Sequence, residues 1–185
     1  MPLSSQTAFN QLNLHERLLK GLEELSFDQP TEVQSAAIPA SIAGSDLYVI
    51  AQTGSGKTAA FVLPLLQRLL HDESKPLAPR GFILVPTREL ARQVVKDIDI
   101  LGKYTFLKAE LVTGGEDFKV QAARLRKNPD IVVATPGRAL EQFSAGNLDL
   151  GSVQTLVLDE ADRMLDMGFS EDVTTLANAC PEGRQ

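Results

Sequence analysis

Ala51-Gln52-Thr53-Gly54-Ser55-Gly56-Lys57-Thr58 decides the fold. An apolar run over 47–51 precedes it, and helical apolar periodicity over 57–70 follows it. Apolar run, glycine loop, Gly-Lys-Thr and helix together form the context of a phosphate-binding loop. Gly54 and Gly56 permit backbone conformations in which the amides of Thr53 to Gly56 surround an anion. A helix starting at Lys57 adds its positive end. In such a loop the lysine reaches the β- and γ-phosphates and the following hydroxyl ligates Mg²⁺, which assigns Lys57 and Thr58. The first loop position is Ala51, a variant of the usual glycine. The competing reading is a glycine-rich turn with a chance lysine.

Working outward, further short apolar runs lie at 82–85, 110–113, 131–134 and 155–158. They lack polar alternation, as strands buried on both faces of a parallel sheet do. Helical periodicity falls between them, at about 14–25, 31–43, 88–102, 117–127, 137–145 and 170–179. Strand alternating with helix predicts an α/β fold: an open, mostly parallel sheet with helices on both faces. The segment 72–80, with two prolines and mixed charge, reads as an exposed loop. Pro64 falls inside the helix after the phosphate loop, where it can bend it.

Composition narrows the function. The chain has 185 residues, 43% of them hydrophobic and 23% charged, enough for a real core. Its net charge of −6 argues against holding nucleic acid by bulk charge. The acidity is concentrated at the ends, however: residues 46–155 hold 14 basic and 12 acidic side chains. The single cysteine, Cys180, rules out an internal disulfide and reads as packed rather than reactive. No basic, apolar leader opens the sequence and no apolar run is long enough to cross a bilayer, so a soluble, cytoplasmic protein is expected. His15 and His71 read as isolated surface residues rather than metal ligands.

A phosphate loop needs a carboxylate at the end of another strand to hold Mg²⁺ through water. The run 155–158 ends in Asp159-Glu160. Asp159 is the candidate for the metal, and Glu160 for orienting or deprotonating an attacking water. Alone, the pair reads equally as the cap of a helix over 161–165.

Asp159-Glu160-Ala161-Asp162 and the loop 51–58 resemble the first RecA-like domain of the DEAD-box ATP-dependent RNA helicases. Several further motifs stand in the same order. Phe27-Asp28-Gln29-Pro30-Thr31-Glu32-Val33-Gln34 resembles the family's Q motif, with Ser26 at its usual glycine. The resemblance implies that Gln34 bonds the adenine edge and that Phe9, 17 residues before Ser26, stacks on the base. An amide offers a donor and an acceptor together, which suits adenine and mismatches guanine. On residues alone, Phe9 and Phe27 read as core or staple side chains. Pro86-Thr87-Arg88, Gly114-Gly115 and Thr135-Pro136-Gly137-Arg138 resemble motif Ia, the GG element and motif Ib. The resemblance implies that they bind RNA through its backbone, with little sequence preference. Gln121 fits the family's spacing after the diglycine and reads equally as a helix-surface residue. The stretch 163–169 also follows the family pattern and is read as structural, with Phe169 docking in the core.

The resemblance implies a RecA-like ATP-binding domain over 46–185, with a Q-motif segment over 1–45 packed on it. ATP and Mg²⁺ are the implied cofactors. RNA and a second RecA-like domain, outside this sequence, are the implied partners, and no membrane is implied. This stretch alone is expected to bind nucleotide but hydrolyse it poorly, because the arginine that completes the site lies in the other domain. The alternatives are an ATP-gated RNA clamp or a phosphate-loop NTPase that does not act on RNA.

Overall fold

The computed structural model describes residues 8–72 and 78–185. They form two compact units, one of residues 8–72 with 97–106 and the other of 78–96 with 107–185.

The second unit holds the sheet. Four parallel strands, β1 (Gly81–Leu84), β2 (Ala109–Val112), β3 (Ile131–Ala134) and β4 (Thr155–Leu158), lie in the order β2-β3-β1-β4. Each matches an apolar run to within a residue. Alternate side chains of β1 point to opposite faces, yet Phe82, Ile83 and Leu84 are all fully buried. Both faces are therefore covered, which accounts for the absence of polar alternation. Phe82, Leu84, Val132 and Ala134 share one core with Met164 and Leu176. Helices α5 (Phe118–Leu125), α6 (Pro136–Ser144), α7 (Ala161–Asp166) and α8 (Ser170–Asn178) belong to this unit, and α6 packs on α8. Cys180 lies in the core, donating to the Leu176 carbonyl at 3.4 Å. Burial pushes its thiol up to about 11, with Arg184 opposing.

The strand starts are tied together by one carboxylate. Asp130 accepts from Arg80 at 2.6 Å and from the Lys108 amide at 2.9 Å. Its carbonyl takes the amides of Arg80 and Gly81. Ala78, Pro79 and Arg80 are buried by this arrangement, so the end of the expected exposed loop belongs to the core edge. Residues 73–77 of that loop, like residues 1–7, lie outside the described residues.

The first unit is helical. A 3-10 turn (Ala8–Leu12) precedes α1 (Glu16–Glu24), α2 (Glu32–Ile42) and α3 (Lys57–His71). Helix α4 (Arg88–Leu101) starts among the residues of the second unit and ends among those of the first. Thr31 caps α2 in a reciprocal box with Gln34. Gly21 lets α1 meet the end of α4 closely, since a Cβ there would stand 3.0 Å from the Leu101 carbonyl oxygen. Glu24 binds Lys103 and accepts from the Tyr104 hydroxyl at 2.6 Å, which lowers its carboxyl below the ordinary value. Pro64 is buried within α3.

Two expectations fail in this unit. Residues 47–51 form no strand: Tyr48 and Ile50 are 89% and 85% exposed. Apolar, β-branched character is local, whereas a strand also needs a neighbour to receive its hydrogen bonds. The two histidines are not isolated either. His15 caps α1, accepting from the Arg17 amide, and its ring meets that of His71 edge to face at 6.1 Å. No cluster of three metal-ligating side chains forms among the described residues.

Candidate nucleotide and RNA sites

The phosphate loop is built on the start of α3. Gly54 and Gly56 take φ of +81° and +90°, which other residues adopt only under strain. The Lys57 ammonium folds back on its own loop, donating to the carbonyls of Ala51 and of Gln52, the latter at 3.1 Å. Thr53 and Gly54 are exposed, and a Cβ on Gly54 would meet nothing within 4 Å. The Ser55 hydroxyl is buried with no partner among the described residues. Open glycine backbone, an orphaned hydroxyl and a lysine turned onto its own loop carbonyls suit a phosphate group. Thr58, on the first turn of α3, is a hard oxygen donor of the kind Mg²⁺ accepts.

Gln34 joins the Q-motif segment to this loop. Its Oε1 accepts from the Thr31 amide at 3.0 Å and its Nε2 donates to the Gly56 carbonyl at 3.1 Å. The side chain is only 4% exposed. A Cβ on Gly56 would lie 2.4 Å from Gln34 Nε2, so the glycine is needed for this bond as well as for its φ. Phe9 is fully buried and offers no open face for stacking; Phe27, by contrast, is 40% exposed.

The acids stand at the carboxyl end of β4. The Asp159 amide extends the ladder to the Leu84 carbonyl, and its Oδ1 accepts from the Glu160 amide at 3.1 Å. Glu160 has φ +52° and ψ +47°, a left-handed conformation that turns the chain from β4 into α7 within one residue. Such strain in a non-glycine residue is retained where the surroundings over-determine it, and functional sites are where it concentrates. The Glu160 carboxylate meets Arg163 at 3.2 Å.

A cleft of about 620 Å³ opens at the carboxyl edge of the sheet, lined by Pro86, Thr87, Arg88, Gly114, Gly115 and Thr135 among others. Loops at this edge are where open α/β sheets bind ligands. The Thr87 hydroxyl accepts from the Leu90 amide and so caps α4. Thr135 starts α6 with no side-chain cap bond, and Pro136 occupies the first turn. Gly137 borders the cleft. The two arginines differ. Arg88 is exposed and makes no hydrogen bond or ion pair among the described residues. Arg138 is committed: Nε meets Glu141 at 2.7 Å, and Nη1 meets the Glu116 carbonyl and Gln121 Oε1 at 2.9 Å each. Gln121 is fully buried, not on a helix surface, and donates to the Thr113 carbonyl at 2.7 Å.

Sequence reasoning assigned no binding role to four lining residues: Glu89, Glu141, Met167 and Phe169. Phe169 packs against the core, as expected, and also borders the cleft. Gly168, at φ +83°, is the only signal of the turn that places it there.

Residues 31–185 match the family model for the DEAD/DEAH box helicases. The chain belongs to the DEAD/DEAH box helicase family. It is 45% identical over 178 residues to a protein named probable ATP-dependent RNA helicase ddx27 of Dictyostelium discoideum, covering 96% of this chain and 23% of that protein. It is 48% identical over 172 residues to the ATP-dependent RNA helicase SrmB of Escherichia coli, covering 92% and 39%. The crystal structure of a DEAD box protein from the hyperthermophile Methanococcus jannaschii superposes with a TM-score of 0.88 at 39% identity, over 96% of this chain and 48% of that one. A hypothetical ATP-dependent RNA helicase from Sulfolobus tokodaii gives 0.83 at 40% identity, over 92% and 48%. This DEAD-box chain thus spans less than half the length of these relatives. Its parallel sheet flanked by helices is the RecA-like fold expected from the motifs. No described helix is long and apolar enough to cross a membrane.

Proposed function

We propose that this chain is the ATP-binding domain of an ATP-dependent RNA helicase, coupling Mg·ATP binding and hydrolysis to RNA binding and local unwinding or remodelling. The observation that carries the RNA half is the cleft, where segments following β1, β2 and β3 converge. The nucleotide half rests on the phosphate loop. There the amides of Thr53 to Gly56 hold the phosphates. Lys57 leaves the carbonyls of Ala51 and Gln52 to pair with the terminal phosphates. Thr58 in the first unit and Asp159 in the second are each residues that would ligate Mg²⁺. When bound, Mg²⁺ neutralises charge on the transferred phosphoryl group. Glu160 orients the attacking water and accepts its proton. Gln34 reads the adenine edge with the amide donor and lone pair left by its bonds to Thr31 and Gly56. Phe9 stacks on the base only if its ring is uncovered on binding.

RNA is held by Arg88, the Thr135 hydroxyl and backbone groups, through phosphates and 2′-hydroxyls. Transferred charge is stabilised in addition by an arginine of a second RecA-like domain. The 185-residue chain should therefore bind nucleotide, turn it over slowly and unwind nothing. Steady-state ATPase assays with and without oligouridylate test this: negligible, RNA-independent turnover is expected, and robust RNA-stimulated turnover would contradict it.

A further inference from the structure

The cleft contains two arginines and two adjacent glycines whose roles the geometry separates. Arg88 is exposed and lies over the diglycine turn. A Cβ on Gly114 would stand 2.9 Å from Arg88 Nη2, and one on Gly115 only 2.3 Å from Nη1. The two glycines differ in backbone: Gly115 has φ +84°, whereas Gly114 lies outside the left-handed region. Gly115 is thus accounted for twice, by its turn and by Arg88. Gly114 is accounted for by the guanidinium above it, since the three nearest heavy atoms its Cβ would meet all belong to Arg88.

The turn beneath is itself pinned. Arg138 Nη1 reaches the Thr113 carbonyl at 3.4 Å and the Glu116 carbonyl at 2.9 Å, one on each side of the diglycine. Its Nε is held by Glu141 and its side chain is only 16% exposed. A guanidinium whose Nε and Nη1 are so engaged braces the turn and keeps only its Nη2 donors for another acceptor.

We infer that Gly114 and Arg138 are positioning residues that act on RNA through Arg88: Arg138 fixes the turn, the turn seats the Arg88 guanidinium, and the seated guanidinium meets the RNA phosphate. The inference rests on the RNA reading of the cleft. It assigns the diglycine a function other than direct contact with RNA. An alanine at 114 fits the backbone but displaces the far end of a flexible side chain.

A double-mutant cycle decides it. Fluorescein-labelled oligouridylate is titrated with the 185-residue chain and with Arg88→Ala, Gly114→Ala and the double variant, at several salt concentrations. Each single variant should weaken binding about tenfold, as loss of one charge-assisted hydrogen bond does. Each should also flatten the plot of log affinity against log salt by about 0.7, one single-strand phosphate contact. The double variant should bind no worse than Arg88→Ala. A roughly hundredfold loss in the double variant, the additive result, would overturn the inference and return Gly114 to direct contact. A second arm needs no RNA: the heteronuclear NOE of the Arg88 Nε–Hε group. It should report an ordered guanidinium in the unmodified chain and a mobile one in Gly114→Ala and in Arg138→Ala. Equal mobility in all three would also overturn the inference. If the unmodified chain binds no oligouridylate, the RNA reading fails and takes the inference with it, while the NOE arm still decides whether the turn seats Arg88.

Discussion

Replacing Gly56 by alanine should damage this domain more than the same change two residues earlier. Both glycines have positive φ, +81° at 54 and +90° at 56, so both substitutions carry the left-handed penalty of about 1–2 kcal/mol. At Gly54 nothing else is met, because the Cβ would point into open space. At Gly56 the Cβ would stand 2.4 Å from Gln34 Nε2 and 3.1 Å from the Thr31 hydroxyl. The Gln34 amide is buried and must move, breaking its bond to the Gly56 carbonyl and disturbing the capping box of α2. One buried hydrogen bond and a weakened cap together add about 1–2 kcal/mol. Gly56→Ala should therefore cost about 2–4 kcal/mol and Gly54→Ala about 1–2. At about 2–4 °C per kcal/mol for a chain of this size, Tm should fall roughly 4–16 °C and 2–8 °C respectively. Differential scanning calorimetry on both variants, with Gln34→Ala and the Gly56→Ala/Gln34→Ala pair, measures this. In the Gln34→Ala background the extra cost at position 56 should vanish. Equal Tm losses at 54 and 56 would refute the reasoning, as would full additivity of Gly56→Ala and Gln34→Ala.

Two further outcomes follow from the second unit. Asp130→Ala removes one partner of a guanidinium that is 4% exposed, so it should cost about 2 kcal/mol, read as a Tm loss of at least 4 °C; a shift under 1 °C would show that the Asp130 carboxylate adds nothing to the hold on Arg80. Cys180, with its thiol pushed up to about 11 by burial, should resist iodoacetamide at pH 8 when folded and react readily when unfolded. Because its folded value lies above the ordinary 9.0, this thiol's contribution to stability is fully present below pH 9 and is lost as pH rises toward 11. Urea titrations of the unmodified chain and Cys180→Ala should diverge across that window, and parallel curves would contradict the assignment.

What could be read from residues alone was whatever depends on near neighbours. The strands β1 to β4 announced themselves as short apolar runs, and the helices between them by their periodicity. Asp159-Glu160 was placed correctly at a strand end because an acidic pair after four apolar residues has few other homes. Contacts distant in sequence were invisible. Residues 47–51 look like a strand locally, but pairing is decided by another segment. Arg138 looks like a phosphate ligand until Glu116, Gln121 and Glu141 are seen to occupy it. His15 and His71 meet only because α1 and the end of α3 do. The burial of Phe9 likewise depends on helices that follow it, which no local pattern could report.

The central claim is that a generic phosphate loop is joined here to an adenine-reading glutamine. Calorimetric titration of the chain with Mg·ADP and Mg·GDP, repeated on Gln34→Ala, tests it most directly. The account predicts at least about tenfold tighter binding of ADP, roughly 1.4 kcal/mol, and loss of that preference in Gln34→Ala. Equal binding of ADP and GDP by the unmodified chain would contradict it and leave Gln34 with only its bonds to Thr31 and Gly56.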